Sequence, residues 1–450
     1  MNRSLKVVIE KVVYGGRGMG RVDGKVVFVP FTAPGERVEA EVTREKKSYM
    51  DAVLKKVEQG SPLRREPFCR HFEECGGCQY QHLPYAEQLR LKEALLNDTL
   101  SPWIRKETLE AHPIIPSPLD RRYRIRAQLK AGMNGGRPVL GFYAWRTQRV
   151  VDVQECPLLH PLANGILDGL RNWMREADPL PITNADVQIS PEEGRGVVSL
   201  RSEKPCSPRR MKEIGERMAG IKGIVWRGKK KKSWGELTLF YDCPELLGKE
   251  RLRMGTSGES FFQVNLHQNW NLRRVVAEWA SLTGREKVLD LFCGSGNLTL
   301  PLAQRAREVW GIDHDPQAIE HAAENARRNE LGNCRFIAAG AKEGIMMALK
   351  EARRADVVVL DPPRAGAARA VLDSLASIRP SKILYVSCEP PTLMRDLGRL
   401  GELGYGLERF QALDMFPQTY HIEVVAECRL REGASGRNRS DAGKNPRAAV

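Results

Sequence analysis

The chain has 450 residues, which exceeds the size of one compact core and predicts two or three domains. The composition, with 42% hydrophobic and 28% charged residues, is typical of globular proteins, and no apolar run is long enough to span a bilayer or to act as an export signal, so we expect a cytoplasmic protein. A net charge of +15 attracts polyanions at long range and favours nucleic acid as the partner over a membrane surface.

Residues 1–60 predict a small β-barrel. Runs such as LKVVIEKVV, KVVFVPF and ERVEAEVT are rich in β-branched residues and alternate with glycine, proline and charged turns. Several short strands in so short a segment favour an OB-type barrel. Basic side chains are spread along it, and a small basic barrel is typical of proteins that bind RNA.

Residues 61–250 predict a central, β-rich domain. A loop rich in proline and cysteine comes first, and leucines at helical spacing follow over 85–100. Further along, RRYRIRAQLKAG and RPVLGFYAWRTQRVVDV predict antiparallel strands with outward-facing arginines. Four lysines at 229–232 fall at a predicted hairpin tip, where a solvated patch and an RNA phosphate contact both remain open.

Residues 251–430 predict an α/β domain, because strands and helical patterns now alternate. The predicted strands are 288–293, 308–313, 334–340, 355–361 and 382–388. This rhythm is typical of a doubly wound parallel sheet. HIEVVAECRL adds a last strand after a long connection, LERFQALDMFPQTY, and residues 431–450 predict a disordered basic tail.

The turn after the first parallel strand is the predicted cofactor site. VLDLFCGSGNLTL places Asp290, Gly294 and Gly296 at the strand end, where glycine lets the backbone approach a ligand. The third glycine of the dinucleotide pattern is missing, which disfavours a pyrophosphate. Asp313 closes the next strand, where a carboxylate can accept hydrogen bonds from both ribose hydroxyls of an adenosine. We therefore expect S-adenosylmethionine at this edge of the sheet.

Two further strand ends at the same edge carry candidate chemistry. Asp361 ends the fourth strand, before a rigid Pro-Pro loop, and Cys388 ends the fifth. A thiolate that adds to carbon 6 of uracil makes carbon 5 attack an electrophilic methyl group. Glu423, near the start of the last strand, is a carboxylate suited to remove the proton from carbon 5 afterwards. A buried structural cysteine is the alternative for Cys388.

A second group of cysteines predicts a metal site. Cys69, Cys75 and Cys78 follow the spacing C-x5-C-x2-C, and Cys156 is the best remote fourth ligand. Four thiolates bind either zinc or an iron–sulfur cluster. The spacing leaves both open, and zinc is the usual default.

Together these motifs resemble the RNA uracil-5-methyltransferases that act on bacterial 23S ribosomal RNA. The resemblance extends over about residues 4–430, and its N-terminal part, with PFTAPGERVEAEV, is similar to a TRAM domain. It implies a class I (Rossmann-like) methyltransferase domain, an N-terminal OB-type TRAM barrel and a central antiparallel β-rich domain. It also implies S-adenosyl-L-methionine as the methyl donor and 23S rRNA as the substrate.

The same resemblance implies roles for individual residues. YVSCEP implies Cys388 as the nucleophile, and HIEVVA implies Glu423 as the base. The implied cofactor-binding residues, carried by FFQVN, DLFCGSGN and the two strand ends, are Gln263, Phe292, Gly294, Gly296, Asn297, Asp313 and Asp361. SCEP departs from the family pattern, which often reads SCNP, at Glu389, and a second departure is Gly340.

In that family the cysteine loop holds a [4Fe-4S] cluster, and this implication replaces the zinc default. The implied ligands are Cys69, Cys75, Cys78 and Cys156, and CRHFEECGGCQYQHLPYAEQLRLK is similar to the family's cluster loop.

Three other functions remain as alternatives. A non-catalytic RNA-binding or ribosome-assembly factor would not need Cys388, Asp361 and Glu423, which are all present. A cytosine-5-methyltransferase usually has a Pro-Cys motif after the fourth strand, where this chain has Pro-Pro-Arg. Transfer RNA uracil-5-methyltransferases generally lack the barrel and the cysteine loop.

Overall fold

The computed structural model describes residues 3–104, 109–176 and 181–431. The tail expected at 431–450 therefore lies outside the described residues beyond Arg431. Among the described helices, none has the length and apolar character needed to cross a bilayer.

The N-terminal segment forms a six-stranded sheet with a buried valine-rich interior. LKVVIEKVV, which we took as one strand, divides in two because Ile9 and Glu10 turn the chain between them. The spatial order is β1-β5-β6-β4-β3-β2. The strands are β1 (Ser4–Val8), β2 (Lys11–Val13), β3 (Arg17–Val22), β4 (Lys25–Pro30), β5 (Arg37–Glu45) and β6 (Tyr49–Gln59).

The central segment forms a seven-stranded sheet in the order β10-β9-β8-β11-β12-β13-β14. Its pairs are antiparallel except β12 with β13. Two helices cover one face, where Leu129, Val187, Leu200 and Trp226 are buried. The elements are β8 (Arg126–Asn134), β9 (Arg137–Tyr143), β10 (Val150–Asp152), α2 (Pro161–Met174), β11 (Asn184–Ser190), β12 (Arg195–Arg201), α3 (Pro208–Arg217), β13 (Ile221–Arg227) and β14 (Lys231–Gly235).

The C-terminal segment contains the expected parallel sheet. After the hairpin of β15 (Thr238–Cys243) and β16 (Leu252–Ser257), helices and strands alternate. Helices pack on both faces of the sheet. The elements are α4 (Leu266–Ala280), β17 (Lys287–Leu291), α5 (Thr299–Ala303), β18 (Glu308–Asp313), α6 (Pro316–Arg328), β19 (Cys334–Ala338), α7 (Ala341–Ala352), β20 (Val357–Leu360), α8 (Arg369–Ile378), β21 (Lys382–Ser387), α9 (Pro390–Glu402), β22 (Tyr405–Leu413) and β23 (Glu423–Leu430).

One strand from the range that we expected to form the central domain, 61–250, belongs to the catalytic sheet instead. After α1 (Tyr85–Ile104), β7 (Glu110–Ile115) pairs in parallel with β22, and the eight-stranded order is β19-β18-β17-β20-β21-β23-β22-β7. Leu96 and Leu100 of α1 are buried in the same core as β21 and β23. The physical reason is that α2 and α3 already cover the central sheet, so the apolar face of α1 is buried elsewhere.

The segment we took as a long connection, 407–420, begins with a strand. Its first part belongs to β22, which pairs antiparallel with β23 along its length. A β-bulge between Leu407 and Arg409 interrupts the alternation of buried and exposed residues. That interruption hides the strand from a pattern with a period of two.

The remainder of that segment, which we call the 414–420 loop, joins the three parts of the fold. Asp414 accepts a hydrogen bond from the Lys92 ammonium at 2.6 Å, and both side chains are fully buried. Gln418 exchanges two hydrogen bonds with the side chain of Gln88, and its carbonyl accepts from the amides of Gln79 and Tyr80. The loop therefore fixes α1 and the cysteine loop against the strand that carries Glu423.

We expect the buried ion pair to be costly to break on one side only. Lys92→Met leaves the Asp414 carboxylate buried without its cation and should lower the free energy of unfolding by about 3–5 kcal/mol. The double variant Lys92→Met/Asp414→Leu removes both charges, so its free energy of unfolding should fall clearly less than that of Lys92→Met. Urea denaturation followed by circular dichroism measures both. Equal losses in the single and double variants would contradict a strongly coupled pair.

Candidate active site

The strand register brings the predicted catalytic residues together at one edge of the sheet. Ser387 faces Val424 in the antiparallel ladder of β21 and β23, so the next position on each strand puts Cys388 beside Glu423. Asp361 follows β20, which lies between β17 and β21. Its amide donates to the carbonyl of Leu291 at 3.3 Å, which places it next to the glycine turn.

The glycine turn has the shape that a close approach of a ligand requires. Gly294 and Gly296 adopt positive φ angles of 54° and 91°, and so does Phe292, at 64°. The Gly294 amide donates to one oxygen of Asp313 at 2.9 Å, and the Asp315 amide donates to the other. Asp313 thus ties the ends of β17 and β18 together and presents its carboxylate at the expected ribose position.

Asn297 contacts α4 through its side chain. Its amide exchanges hydrogen bonds with Asn269 at 2.9 and 3.0 Å, and its oxygen also accepts from Arg273 at 2.6 Å. The Arg273 guanidinium is buried and also contacts the sulfur atoms of Cys243 and Met254. Asn297 thus holds the turn against α4, and its contact with the cofactor stays a prediction.

Asp290 is a buried carboxylate with one unused acceptor. Thr299 donates to one oxygen at 2.5 Å, and the other has no hydrogen-bond partner among the described residues. Burial raises the pKa of Asp290 to about 7, and the charges of Asp361 and Asp313 add to this rise. A buried acceptor of this kind beside a glycine turn fits a ligand that brings a donor, such as the amino group of S-adenosylmethionine.

Asp361 and Glu423 form a second pair of buried carboxyls. Burial raises the pKa of Asp361 to about 7. Burial also raises the pKa of Glu423 well above its ordinary value, the charge of Asp361 raises it further, and Arg364 opposes both effects. Both shifts favour the protonated carboxyl, and a pKa of about 7 at Asp361 suits a group that exchanges a proton during a reaction.

Cys388 lies half-buried between these acidic groups. Burial raises the pKa of its thiol to about 12, the charge of Glu423 is the next cause, and Asp361 and Glu389 add to the rise. Arg364 opposes the shift. The thiol is thus protonated at neutral pH in the protein alone, so forming the nucleophile requires a change of charge or solvation when substrate binds.

Gln263 is nearly buried in the segment between β16 and α4, and this segment reaches the central sheet. The Val264 carbonyl accepts from the Ile125 amide at 3.0 Å, and Phe262 stacks on Tyr241. Phe261 is 70% exposed, with Arg126 over its ring. Sequence reasoning missed Phe261 because an aromatic residue in FFQVN predicts core packing as readily as exposure.

The four candidate metal ligands line one cavity of about 620 Å³, together with Arg124, Arg126 and Phe261. Hydrogen bonds hold the backbone at several of them, because the Cys69 amide donates to Gln81 and the Cys156 amide donates to Asn164. The amide of Gly77 donates to the Cys75 sulfur at 3.4 Å. Each of the four, Cys69, Cys75, Cys78 and Cys156, has a free thiol.

The thiols are near one another without forming a ready site for one ion. In the part of the chain that the structure describes, no group of three or more His, Cys, Asp and Glu side chains is arranged to hold a metal ion. Burial raises the pKa of the Cys78 thiol, and the neighbouring Cys156, Cys75 and Cys69 raise it further, because all three lie close to it. The donor set, four thiols around one cavity, is the kind that soft metals prefer.

The fold and the proteins that the chain resembles define an S-adenosylmethionine-dependent RNA methyltransferase with a TRAM domain. The model of the tRNA (Uracil-5-)-methyltransferase family matches residues 84–427, and that of the TRAM domain matches residues 2–55. The chain belongs to the tRNA (Uracil-5-)-methyltransferase family.

Relatives from two bacteria and one structural neighbour match nearly the whole chain. An uncharacterized RNA methyltransferase of Aquifex aeolicus is 36% identical over 96% of this chain and 100% of its own length. One from Halalkalibacterium halodurans is 33% identical over 96% and 98%. The tRNA (uracil-54, C5)-methyltransferase of Pyrococcus abyssi, solved with S-adenosyl-L-homocysteine, is 27% identical, with a TM-score of 0.72 over 94% of this chain and 100% of that one.

These matches confirm the predicted fold class, the TRAM barrel, an RNA substrate and S-adenosylmethionine as cofactor. The Pyrococcus abyssi structure also bears on the expectation that tRNA enzymes lack the barrel. A coverage of 94% leaves too few residues unmatched to omit the barrel, so a tRNA enzyme shares this domain organisation. The presence of the barrel therefore does not separate rRNA from tRNA as substrate.

The raised pKa of the buried Asp361 carboxyl predicts how the stability of the protein changes with pH. Its pKa rises from 3.8 in the unfolded chain to about 7 in the folded protein. Its contribution to stability is therefore fully present below pH 3.8 and is lost as the pH rises through about 7. Asp361→Asn should therefore raise the thermal unfolding midpoint, relative to the unmodified protein, more at about pH 8 than at about pH 4.

Differential scanning calorimetry at the two pH values measures this difference. Asp23→Asn is the matched control, because the Asp23 side chain is 85% exposed and its substitution should act equally at both. A pH-independent effect of Asp361→Asn would show that Asp361 is ionised in the folded protein throughout.

Proposed function

We propose that this protein methylates carbon 5 of a uracil in structured RNA, with 23S ribosomal RNA as the substrate. The observation that carries the proposal is the register that sets Cys388 beside Glu423 at the edge where the glycine turn lies. An amino-group methyltransferase needs neither a thiol nor a carboxylate at this place. Membership of the uracil-5 family supports the same base and atom.

The proposed reaction assigns one step to each group. The Cys388 thiolate adds to carbon 6 of the uracil, and the resulting enolate attacks the methyl group of S-adenosylmethionine through carbon 5. S-adenosylhomocysteine leaves with the electron pair of the broken carbon–sulfur bond. Glu423 then takes the proton from carbon 5, and elimination restores the ring and releases the thiolate.

The geometry of the turn supports a proposed set of cofactor contacts. The Gly294 and Gly296 backbone, together with Phe292, would border the methionine part, and Asp313 would accept from the ribose. Asp290 offers its unused oxygen to the amino group. Gln263 and Asp361 complete the proposed set at the side facing the uracil.

The base must leave its stack to reach a thiol at the end of a strand. The exposed Phe261, with Arg126 beside it, and the basic surface of the chain suit a single-stranded RNA segment. The TRAM domain at the N-terminus supports an RNA substrate as well.

Removing the base should trap the reaction halfway. Glu423→Gln keeps the shape of the side chain but cannot accept the carbon 5 proton, so we expect a covalent protein–RNA adduct carrying the methyl group. Denaturing gel electrophoresis with labelled RNA measures it. Cys388→Ala is the matched control, and it should bind S-adenosylmethionine yet give neither adduct nor product. Full methylation by Cys388→Ala would exclude the proposed mechanism.

We also propose that Cys69, Cys75, Cys78 and Cys156 hold a [4Fe-4S] cluster. A cluster gives each thiolate its own iron atom, so its ligands stand further apart than those around a single ion. Four thiols that line one cavity supply the set of donors that such a cluster needs. The cluster would supply a rigid link between the cysteine loop and the central sheet.

Anaerobic purification should yield a brown protein that contains iron and sulfide. Cys78→Ser should lose both, while Cys206→Ser, at a buried cysteine outside the cavity, should retain them. Iron, sulfide and zinc analysis measures the difference. A colourless protein with stoichiometric zinc would show that the four cysteines hold a single zinc ion and not a cluster.

A tRNA substrate is the second candidate, and the Pyrococcus abyssi structure favours it. Mass mapping of 23S rRNA and tRNA from a strain that lacks this gene decides between the two. Loss of a 5-methyluridine from 23S rRNA alone supports the proposal. Loss from tRNA alone would transfer the activity to tRNA, and loss of neither would exclude both substrates.

A further inference from the structure

The lysine run at 229–232 forms the turn and the start of the second strand of a hairpin at the edge of the central sheet. This hairpin joins β13 to β14, the last strand in the order of that sheet. Arg227 on β13 lies directly opposite Lys231 on β14. Like charges that face each other in an antiparallel pair destabilise it, so the two cations need an anion nearby.

Glu259 supplies that anion from the segment that leads into the candidate active site. One of its oxygens lies 2.7 Å from the Arg227 guanidinium, and the other lies 2.5 Å from the Lys231 ammonium. The Glu259 side chain is only 8% exposed, and a nearly buried carboxylate depends on such partners. Gln263 follows in the same segment, so these ion pairs fix the hairpin to the chain that borders the site.

Two tryptophans hold the base of the hairpin against the rest of the central domain. Trp226 on β13 is buried, and its indole donates to a backbone carbonyl at 3.0 Å. Trp234 on β14 packs so closely on α3 that a Cβ atom at Gly215 would lie 2.0 Å from its ring. The Lys232 ammonium donates to the Cys206 carbonyl at 3.1 Å, so this lysine is also used within the protein. The hairpin is therefore a rigid arm.

Lys229 and Lys230 lie in the turn itself and differ from the two lysines that follow. Both are exposed, and neither forms an ion pair or a hydrogen bond with another residue in the part of the chain that the structure describes. Lysines on an edge strand prevent its pairing with other chains, but a turn has no edge to protect. Two ammonium groups at the tip of a rigid arm suit a phosphate, which lysine binds as a point charge.

Positive charge continues from the hairpin toward the exposed ring of Phe261. The Arg126 guanidinium lies over this ring and donates to the Ser260 carbonyl at 3.4 Å. Arg126, Glu259 and Phe261 line the same cavity. A strand of RNA needs cations along its backbone and aromatic faces for its bases, and this surface offers both.

We propose that the β13–β14 hairpin is a docking arm for the RNA substrate, in which Lys229 and Lys230 bind backbone phosphates beside the target uracil. The identity of the RNA and of the target base rests on the proposed function. The two lysines contact phosphate and no base, so they add affinity and orientation without sequence preference. Glu259 holds the arm at a fixed place relative to Gln263, so phosphates bound at the tip determine where the base enters the cleft.

Acetylation of lysines tests the contact on the unchanged protein. Sulfosuccinimidyl acetate modifies exposed ammonium groups, and mass spectrometry after chymotrypsin digestion gives the extent at each position. In vitro transcribed 23S rRNA should slow the acetylation of Lys229 and Lys230. Lys249, between β15 and β16, and Lys350, in the last turn of α7, are exposed controls outside the central sheet, and they should react equally with and without RNA.

Removing the two charges should weaken RNA binding and leave the chemical step unchanged. Lys229→Gln/Lys230→Gln should raise KM for 23S rRNA by roughly fivefold at fixed ionic strength, with kcat nearly constant. The slope of log Kd against log salt concentration should also fall by about 0.7 for each phosphate contact that is lost. Lys249→Gln/Lys350→Gln removes the same charge and is the matched control, which should change neither quantity.

Three outcomes would overturn the docking arm. They are acetylation of Lys229 and Lys230 that RNA leaves unchanged, equal protection of all four lysines, and equal weakening by the two double variants, since the last two trace the effect to net charge alone. Protection by unmodified tRNA transcripts and not by 23S rRNA would support the arm with tRNA as its substrate. Full methylation by Cys388→Ala would refute the proposed mechanism and leave the protection intact, so the two failures are distinguishable.

Discussion

The ion pair between Lys92 and Asp414 constrains the rest of the structure, because a fully buried ammonium must keep its partner. Lys92 also donates to the carbonyl of Phe416. Among the described residues, both acceptors of the Lys92 ammonium lie in the 414–420 loop, so α1 is fixed to this loop. Hydrogen bonds between Gln88 and Gln418 stabilise the same contact. The cysteine loop is bound to this loop in turn through the Gln418 carbonyl.

The position of the reactive groups follows from that contact. The 414–420 loop leads directly into β23, which starts at Glu423 and runs antiparallel to β21. A shift of the loop would move Glu423 along the strand that ends at Cys388. The arrangement thus places Glu423 and Cys388, the proposed base and nucleophile, at adjoining ends of one hydrogen-bonded ladder, which allows little relative movement.

The parallel strands and their site residues could be predicted because each carries its signal locally. Asp290, Asp313, Asp361 and Cys388 all lie within one residue of a strand end, and the strand ends of such a sheet meet at one edge. Contacts across long separations gave no such signal. The partner of β7 lies in β22, near the other end of the chain, and the partners of Asn297 lie on α4.

The parallel pairing of β7 with β22 sets the order in which the chain can complete its fold. Lys92 is made 322 residues before Asp414, so a growing chain presents α1 and β7 long before their partners exist. In the barrel and the central sheet, strands pair with partners that are close in the sequence, such as β5 with β6 and β11 with β12. The catalytic sheet is therefore completed only after β22 and β23 have been made, and the enzyme gains its cleft together with these two strands.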